Sequence, residues 1–148
     1  MTRAEILAAL SQQEPFRFVD EILEIDDEHV VAAYTWRPDA DFYRGHFPGN
    51  PVTPGVLLVE SMAQAGVVCL ALHLMAQEDG GADLDKLVFF FTDSNVEFSG
   101  VVSPGERVLI RSQKVYFRRR KLRCEVEMQR ESGELVCSGV LSGMGAPR

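Results

Sequence analysis

GHFPGNPVTPGVLLVESMAQAGVVCLALHL, Gly45 to Leu74, is the stretch that organises this chain. From Val56 to Ala76 almost every residue is apolar, yet Glu60 stands near the start of the run. His46 precedes it by fourteen positions, ahead of Pro48, Pro51 and Pro54. Thr53 suits a helix N-cap, and Pro54 suits the first helical position, where its missing N–H is of no consequence. The pattern predicts a helix from there to about Gln77, stopped by EDGGAD at 78–83. A membrane span needs about 20 apolar residues with few charges. Here Glu60, Ser61, Gln64 and His73 interrupt the run. A central carboxylate would cost ~2.5 kcal/mol or more in lipid. A helix buried inside a folded domain is the better reading.

The flanks supply what such a helix needs. Residues 2–10 read as a short amphipathic helix with Ile6, Leu7 and Leu10 on one side. FRFVDEILEID and HVVAAYTW, split by DDE, read as a β-hairpin. Residues 37–54 read as a loop whose Phe42, Tyr43 and Phe47 pack. After the helix come four strand-like segments: KLVFFFTDSNVEF, ERVLIRSQKVYFRRR, KLRCEVEMQRE and ELVCSGVLSGM. SPGE and ESGE mark turns between them. A helix apolar nearly all round needs cover on most sides, and a curved antiparallel sheet supplies it. The expectation is a single α+β domain over residues 1–148, with the helix as filling.

With 148 residues and 46% apolar content, one domain can bury a real core. The formal charge of −7 argues against nucleic-acid and membrane-surface binding. Three cysteines without metal-type spacing fit a reducing compartment rather than a disulfide framework. No signal-peptide pattern opens the chain, so the expected location is the cytoplasm.

A buried carboxylate must be paired, hydrogen-bonded or protonated. Taken alone, Glu60 reads as a helix-edge residue reaching water, and His46 as a structural loop histidine. Together they read differently. Glu60 and Gln64 share a helix face. The punctuated loop can return His46 to the helix start, where the N–H groups of Gly55 and Val56 lack helical partners. Gly55 lets a carbonyl approach the backbone closely. A histidine, a carboxyl group and free N–H donors are the parts for removing a proton next to a carbonyl.

The stretch GHFPGNPVTPGVLLVESMAQAGV resembles the signature of the hotdog-fold (3R)-hydroxyacyl-[acyl-carrier-protein] dehydratases, G-H-F-P-x-x-P-x-x-P-G-V-L-x-x-E-x-M-A-Q. PFRFVDEILEI, FSGVVSPGERV and QRESGELVCSG resemble further family elements, so the likeness spans roughly residues 12–143. It implies a hotdog fold and a homodimer, in many relatives a trimer of dimers, with sites at the dimer interface. It implies that His46 takes the C2 proton of a 3-hydroxyacyl thioester and Glu60 of the other chain protonates the departing hydroxyl. Gly55 and Val56 would polarise the thioester carbonyl, and Gln64 would orient Glu60 or a water. Phe47, Met62, Phe89 and Phe91 complete the expected substrate-binding set. Glu rather than Asp at position 60 points to dehydration without isomerisation. No metal or organic cofactor is implied. The partner would be an acyl carrier protein presenting its substrate on phosphopantetheine.

Several positions depart from that pattern. Gln12 and Gln13 replace a His-Arg pair, Glu21 replaces a common basic residue, Ser99 and Gly100 stand where basic residues are common, and Val101 stands where Pro is usual. Phe89 stands where some members have a gating tyrosine. Fewer positive charges weaken docking of an acidic carrier; a changed carrier, a specialised pathway and a coenzyme A thioester are the alternatives. The surviving basic run, RRRKLR, reads either as a solvated strand end or as a docking patch built on Arg118, Arg119, Arg120 and Lys121. His29 and His73 lack ligand spacing with His46, so zinc is not expected. A hotdog thioesterase and a non-catalytic acyl-binding subunit are the competing readings.

Overall fold

A computed structural model describes residues 1–79 and 83–148. Helix α1, Arg3–Ala9, opens with a capping box in which the Thr2 hydroxyl accepts from Glu5 N and the Glu5 carboxylate accepts from Thr2 N. Strands β1 (Glu21–Ile25) and β2 (His29–Thr35) form the expected hairpin. The Asp26 carboxylate closes its turn by accepting from the N–H groups of Glu28 and His29 at 2.7 and 2.8 Å. The predicted first strand is shorter than FRFVDEILEID suggested. Around Phe18 the backbone bonds to side chains of the central helix instead of to a neighbouring strand.

That central helix runs as α2 (Gly55–Ala63), a π-helical turn (Gln64–Val68) and α3 (Cys69–Asp79). It extends slightly beyond Gln77. Part of the expected stop in EDGGAD, residues 80–82, lies outside the described residues. The N-cap differs from expectation. Pro54 occupies that position, and the buried Thr53 hydroxyl is engaged with the Tyr43 hydroxyl at 2.7 Å. Thr53 N donates to Val102 O, tying the helix entrance to the segment around residue 102.

Strands β3 (Leu87–Phe98), β4 (Arg107–Arg118), β5 (Lys121–Arg130) and β6 (Leu135–Pro147) complete one six-stranded antiparallel sheet of order β1-β2-β4-β5-β6-β3. The sheet wraps the helix. Leu122, Cys124, Val126 and Met128 alternate inward along β5, as a half-buried strand requires. By length and composition, Gly55–Glu78 could cross a membrane, but 72% of its most apolar window is buried within the fold. It is the core helix.

The π turn packs closely against the sheet. A Cβ on Gly66 would lie 3.0 Å from Val126 and 3.1 Å from Ser112. The close approach lets Ser112 Oγ donate to Gly66 O at 2.8 Å, so a strand side chain bonds directly to the backbone of the widened turn.

Candidate active site

The His46 loop is held from within. His46 N donates to Phe42 O, and Val52 N donates to His46 O. The imidazole Nδ1 lies 2.9 Å from Val52 O. A carbonyl can only accept, so Nδ1 carries the proton and Nε2 keeps its lone pair. His46 is half-buried, whereas Phe47 is half-exposed and stacks on its ring at 4.2 Å.

Glu60 sits one turn into α2. Gln64 Nε2 donates to Glu60 Oε2 at 3.1 Å. Gln64 is itself fully buried and fixed at both ends of its amide: Oε1 accepts from Phe18 N at 2.8 Å, and Nε2 also donates to Phe16 O at 3.0 Å. Ser61 Oγ adds a bond to Phe18 O at 2.7 Å. The helix therefore clamps the 16–18 segment, and that clamp positions the amide which positions the carboxyl. Burial raises the Glu60 pKa above the ordinary carboxylate value, and the Gln64 bond opposes the rise. A carboxyl group whose burial favours its neutral form is suited to give a proton.

At the helix start, Gly55 faces the Phe98 ring: a Cβ there would lie 3.2 Å from the ring edge. Only glycine leaves this approach open. Val56 is 77% exposed. As the first residues of the helix, Gly55 and Val56 have no helical acceptor for their N–H groups.

Beside Glu60 lies a small cavity of about 40 Å³. Ala63, Val67 and Val68 of the helix line one wall, and residues 89–91 and Gly143 line another. Of the expected substrate-binding residues, Phe89 and Phe91 line this cavity, together with Phe90. Met62 falls elsewhere: it is fully buried in the core, its Sδ 3.4 Å from Cys137 Sγ. A larger open groove of about 550 Å³ crosses the outer sheet face near His29, Arg111 and Glu127. It contains nothing from the His46–Glu60 stretch, and its mixed charges suggest no acyl ligand.

Within the chain, His46 and Glu60 share no hydrogen bond; each is held by its own local partner. The basic run forms the β4–β5 turn. Arg118 and Lys121 pair in register, and Arg119 and Arg120 both take positive φ, 52° and 61°. The Arg118 guanidinium lies over the Tyr116 ring at 4.5 Å. Sequence reasoning missed the Val52 carbonyl, the Ser61 clamp and Gln12, which lines the cavity beside Glu60. None carries a periodic or motif signal, because each acts through tertiary placement.

Comparison with known proteins places the chain in a family. The model of the FabA-like domain matches residues 10–139. The 3-hydroxyacyl-[acyl-carrier-protein] dehydratase FabZ of Streptococcus pyogenes serotype M5 (strain Manfredo) is 37% identical over 139 residues, 93% of this chain and 94% of that protein. The FabZ of serotype M1 matches equally. Among solved structures, the dehydratase heterocomplex ApeI:P from Xenorhabdus doucetiae superposes with a TM-score of 0.80 at 16% identity, covering all of this chain and 93% of that one. A hypothetical thioesterase from Streptococcus pneumoniae TIGR4 reaches 0.58 at 14% identity, over 86% of this chain and 90% of that one. At such identities these two structures speak for the fold alone. The family-model match and the 37% identity carry more: this chain belongs to the FabA-like family.

Proposed function

We propose that the chain dehydrates (3R)-3-hydroxyacyl thioesters, presented by an acyl carrier protein, to trans-2-enoyl thioesters in fatty-acid or related biosynthesis. The observation that carries the reading is the pair of opposite proton assignments. The His46 tautomer leaves Nε2 as a base, and burial holds the Glu60 carboxyl toward its protonated form. In the reaction His46 Nε2 takes the C2 proton. The electron pair forms the C2–C3 double bond as the C3–O bond breaks, and Glu60 protonates the departing hydroxyl, which leaves as water. The Gly55 and Val56 N–H groups stabilise the negative charge that develops on the thioester oxygen. Glu60 in this role supports dehydration without double-bond isomerisation.

Two copies build the site. Among the described residues, β3 hydrogen-bonds β6 on one side and has no strand paired to its other edge. Phe90 and Phe91 on that strand are 60% and 47% exposed. Val56, Phe98 and Val101 are exposed with them. A long, open, apolar edge is a pairing surface. Pairing two β3 strands joins the sheets and brings His46 of one copy toward Glu60 of the other. The carrier docks on the β4–β5 turn. Two arginines in a left-handed turn that favours Asn-Gly are an energetic cost, and a functional demand for charge at Arg118, Arg119, Arg120 and Lys121 accounts for it.

Purified protein given 3-hydroxyacyl carrier-protein and coenzyme A thioesters should produce the absorbance of a conjugated enoyl thioester. His46→Ala and Glu60→Gln should each abolish it. Mixing the two variants under subunit exchange should restore part of the activity. Wild-type turnover in either variant, or free thiol as the only product, overturns the reading. Failure to complement despite proven exchange removes the shared site.

A further inference from the structure

The cavity beside Glu60 is apolar along most of its lining, but Gln12 enters it from the segment that follows α1. The side-chain Oε1 of Gln12 is buried and has no hydrogen-bond partner among the described residues. The neighbouring glutamines behave differently: Gln13 Nε2 donates to Leu10 O, and Gln64 is bonded at both ends of its amide. Ser142 also borders the cavity, and its Oγ is likewise buried with no hydrogen-bond partner among the described residues. Gln12, Glu60 and Ser142 are its polar side chains. A serine hydroxyl can donate or accept, whereas the Gln12 oxygen can only accept and so needs a donor.

Gln12 as a residue is only partly buried, but its carbonyl oxygen is shielded, and a buried amide oxygen without a partner is unfavourable in a purely hydrocarbon-filled chamber. It becomes favourable when the ligand brings a hydrogen-bond donor. A hydroxyl can donate to it. Glu60 already has its assignment at the C3 hydroxyl.

We propose, resting on the dehydratase reading above, that Gln12 is a specificity residue: the chamber takes 3-hydroxyacyl thioesters whose acyl group carries a second hydroxyl farther along the chain. An unsubstituted alkyl chain of the same length leaves Gln12 buried and unpaired. Sites built around such a polar group reject the analogue that lacks it. A preference of roughly tenfold or more in kcat/KM follows from the cost of one unpaired buried group.

The test uses matched acyl-carrier-protein and coenzyme A thioesters of equal length, with the second hydroxyl absent or placed at successive carbons. Enoyl absorbance is followed for wild type and for Gln12→Leu. Wild type should favour the hydroxylated member at one chain position, and Gln12→Leu should erase or invert that preference while still turning over the plain alkyl substrate. A second measurement needs no turnover and no change at Gln12: in the His46→Ala protein, the favoured hydroxylated thioester should raise the melting temperature more than its alkyl match. Equal kcat/KM across every pair in wild type overturns the proposal. So does an equal fold-loss on both members in Gln12→Leu, which would place Gln12 at the reacting centre or in a structural role. A wild-type enzyme inert toward the whole set overturns the dehydratase reading itself, a result distinct from activity without preference.

Discussion

Replacing Gln64 by Leu tests the positioning of Glu60 and the anchoring of the 16–18 segment at once. The side chains are close in volume, so packing is nearly conserved, but three hydrogen bonds are lost: to Phe18 N, Phe16 O and Glu60 Oε2. Each buried backbone group left unpaired costs about 1–3 kcal/mol. Phe16 is half-exposed, so its carbonyl belongs at the low end of that range. The sum is roughly 2–5 kcal/mol, or a fall in melting temperature of roughly 5–20 °C. The effect on Glu60 has a definite sign. Burial raises its pKa and the Gln64 bond lowers it, so removing the bond raises it further. The basic limb of the pH dependence of kcat/KM should therefore move to higher pH, even as kcat falls because the carboxyl is no longer oriented. Calorimetry and pH-dependent enoyl-thioester formation read the two effects separately. A melting temperature within about 2 °C of wild type, with an unmoved basic limb, would refute the reasoning.

The raised Glu60 pKa also bears on stability. A carboxyl that holds its proton more tightly when folded contributes stability that is whole below the ordinary carboxylate range and is lost as pH rises through its folded pKa. The melting temperature of Glu60→Gln should therefore gain on wild type as pH rises through that interval; parallel curves would contradict it. Phe90→Glu places a charge on the open apolar edge of β3, and light scattering should show a shift from dimer to monomer; an unchanged mass removes β3 from the interface. Converting Arg119-Arg120 to Asn-Gly relieves two positive-φ positions and should stabilise the fold by about 1 kcal/mol. The same change should raise KM for carrier-bound substrate and leave the coenzyme A thioester unaffected; equal KM values for the carrier would discard the docking role.

The sequence made the helix, the hairpin and the later strands legible because each rests on local periodicity and turn chemistry. Cys124, Val126 and Met128 alternate in the string as they do in the sheet. The G-H-F-P to E-x-M-A-Q spacing likewise exposed His46 and Glu60. Other features lie outside local pattern. Thr53 has the right chemistry for a cap, yet Tyr43 takes its hydroxyl, and only the folded loop brings that tyrosine near. FRFVD has strand composition, yet Ser61 and Gln64 claim the backbone of Phe18. Met62 lies two positions from Glu60 but points into the core, because successive helical residues turn by about 100°. The exposed apolar edge of β3 cannot be read from composition, since its phenylalanines look like core until the strand is placed at the border of the sheet.

The π turn at Gln64–Val68 has a consequence for descent by insertion and deletion. A π turn takes up one residue more than the α turn it replaces, so it absorbs an inserted residue without turning the helix on either side. Wound as regular α-helix, the same residues would rotate everything from Cys69 to Asp79 by about 100° relative to Glu60. His73, now 3.0 Å from Asp27 in the β1–β2 turn, would face another direction, and the tie between the far end of the helix and the hairpin would be severed. One residue lost within the π turn, with a return to α geometry, leaves both ends of the helix facing as they do. A single residue gained or lost in α2 or α3 has no such compensation.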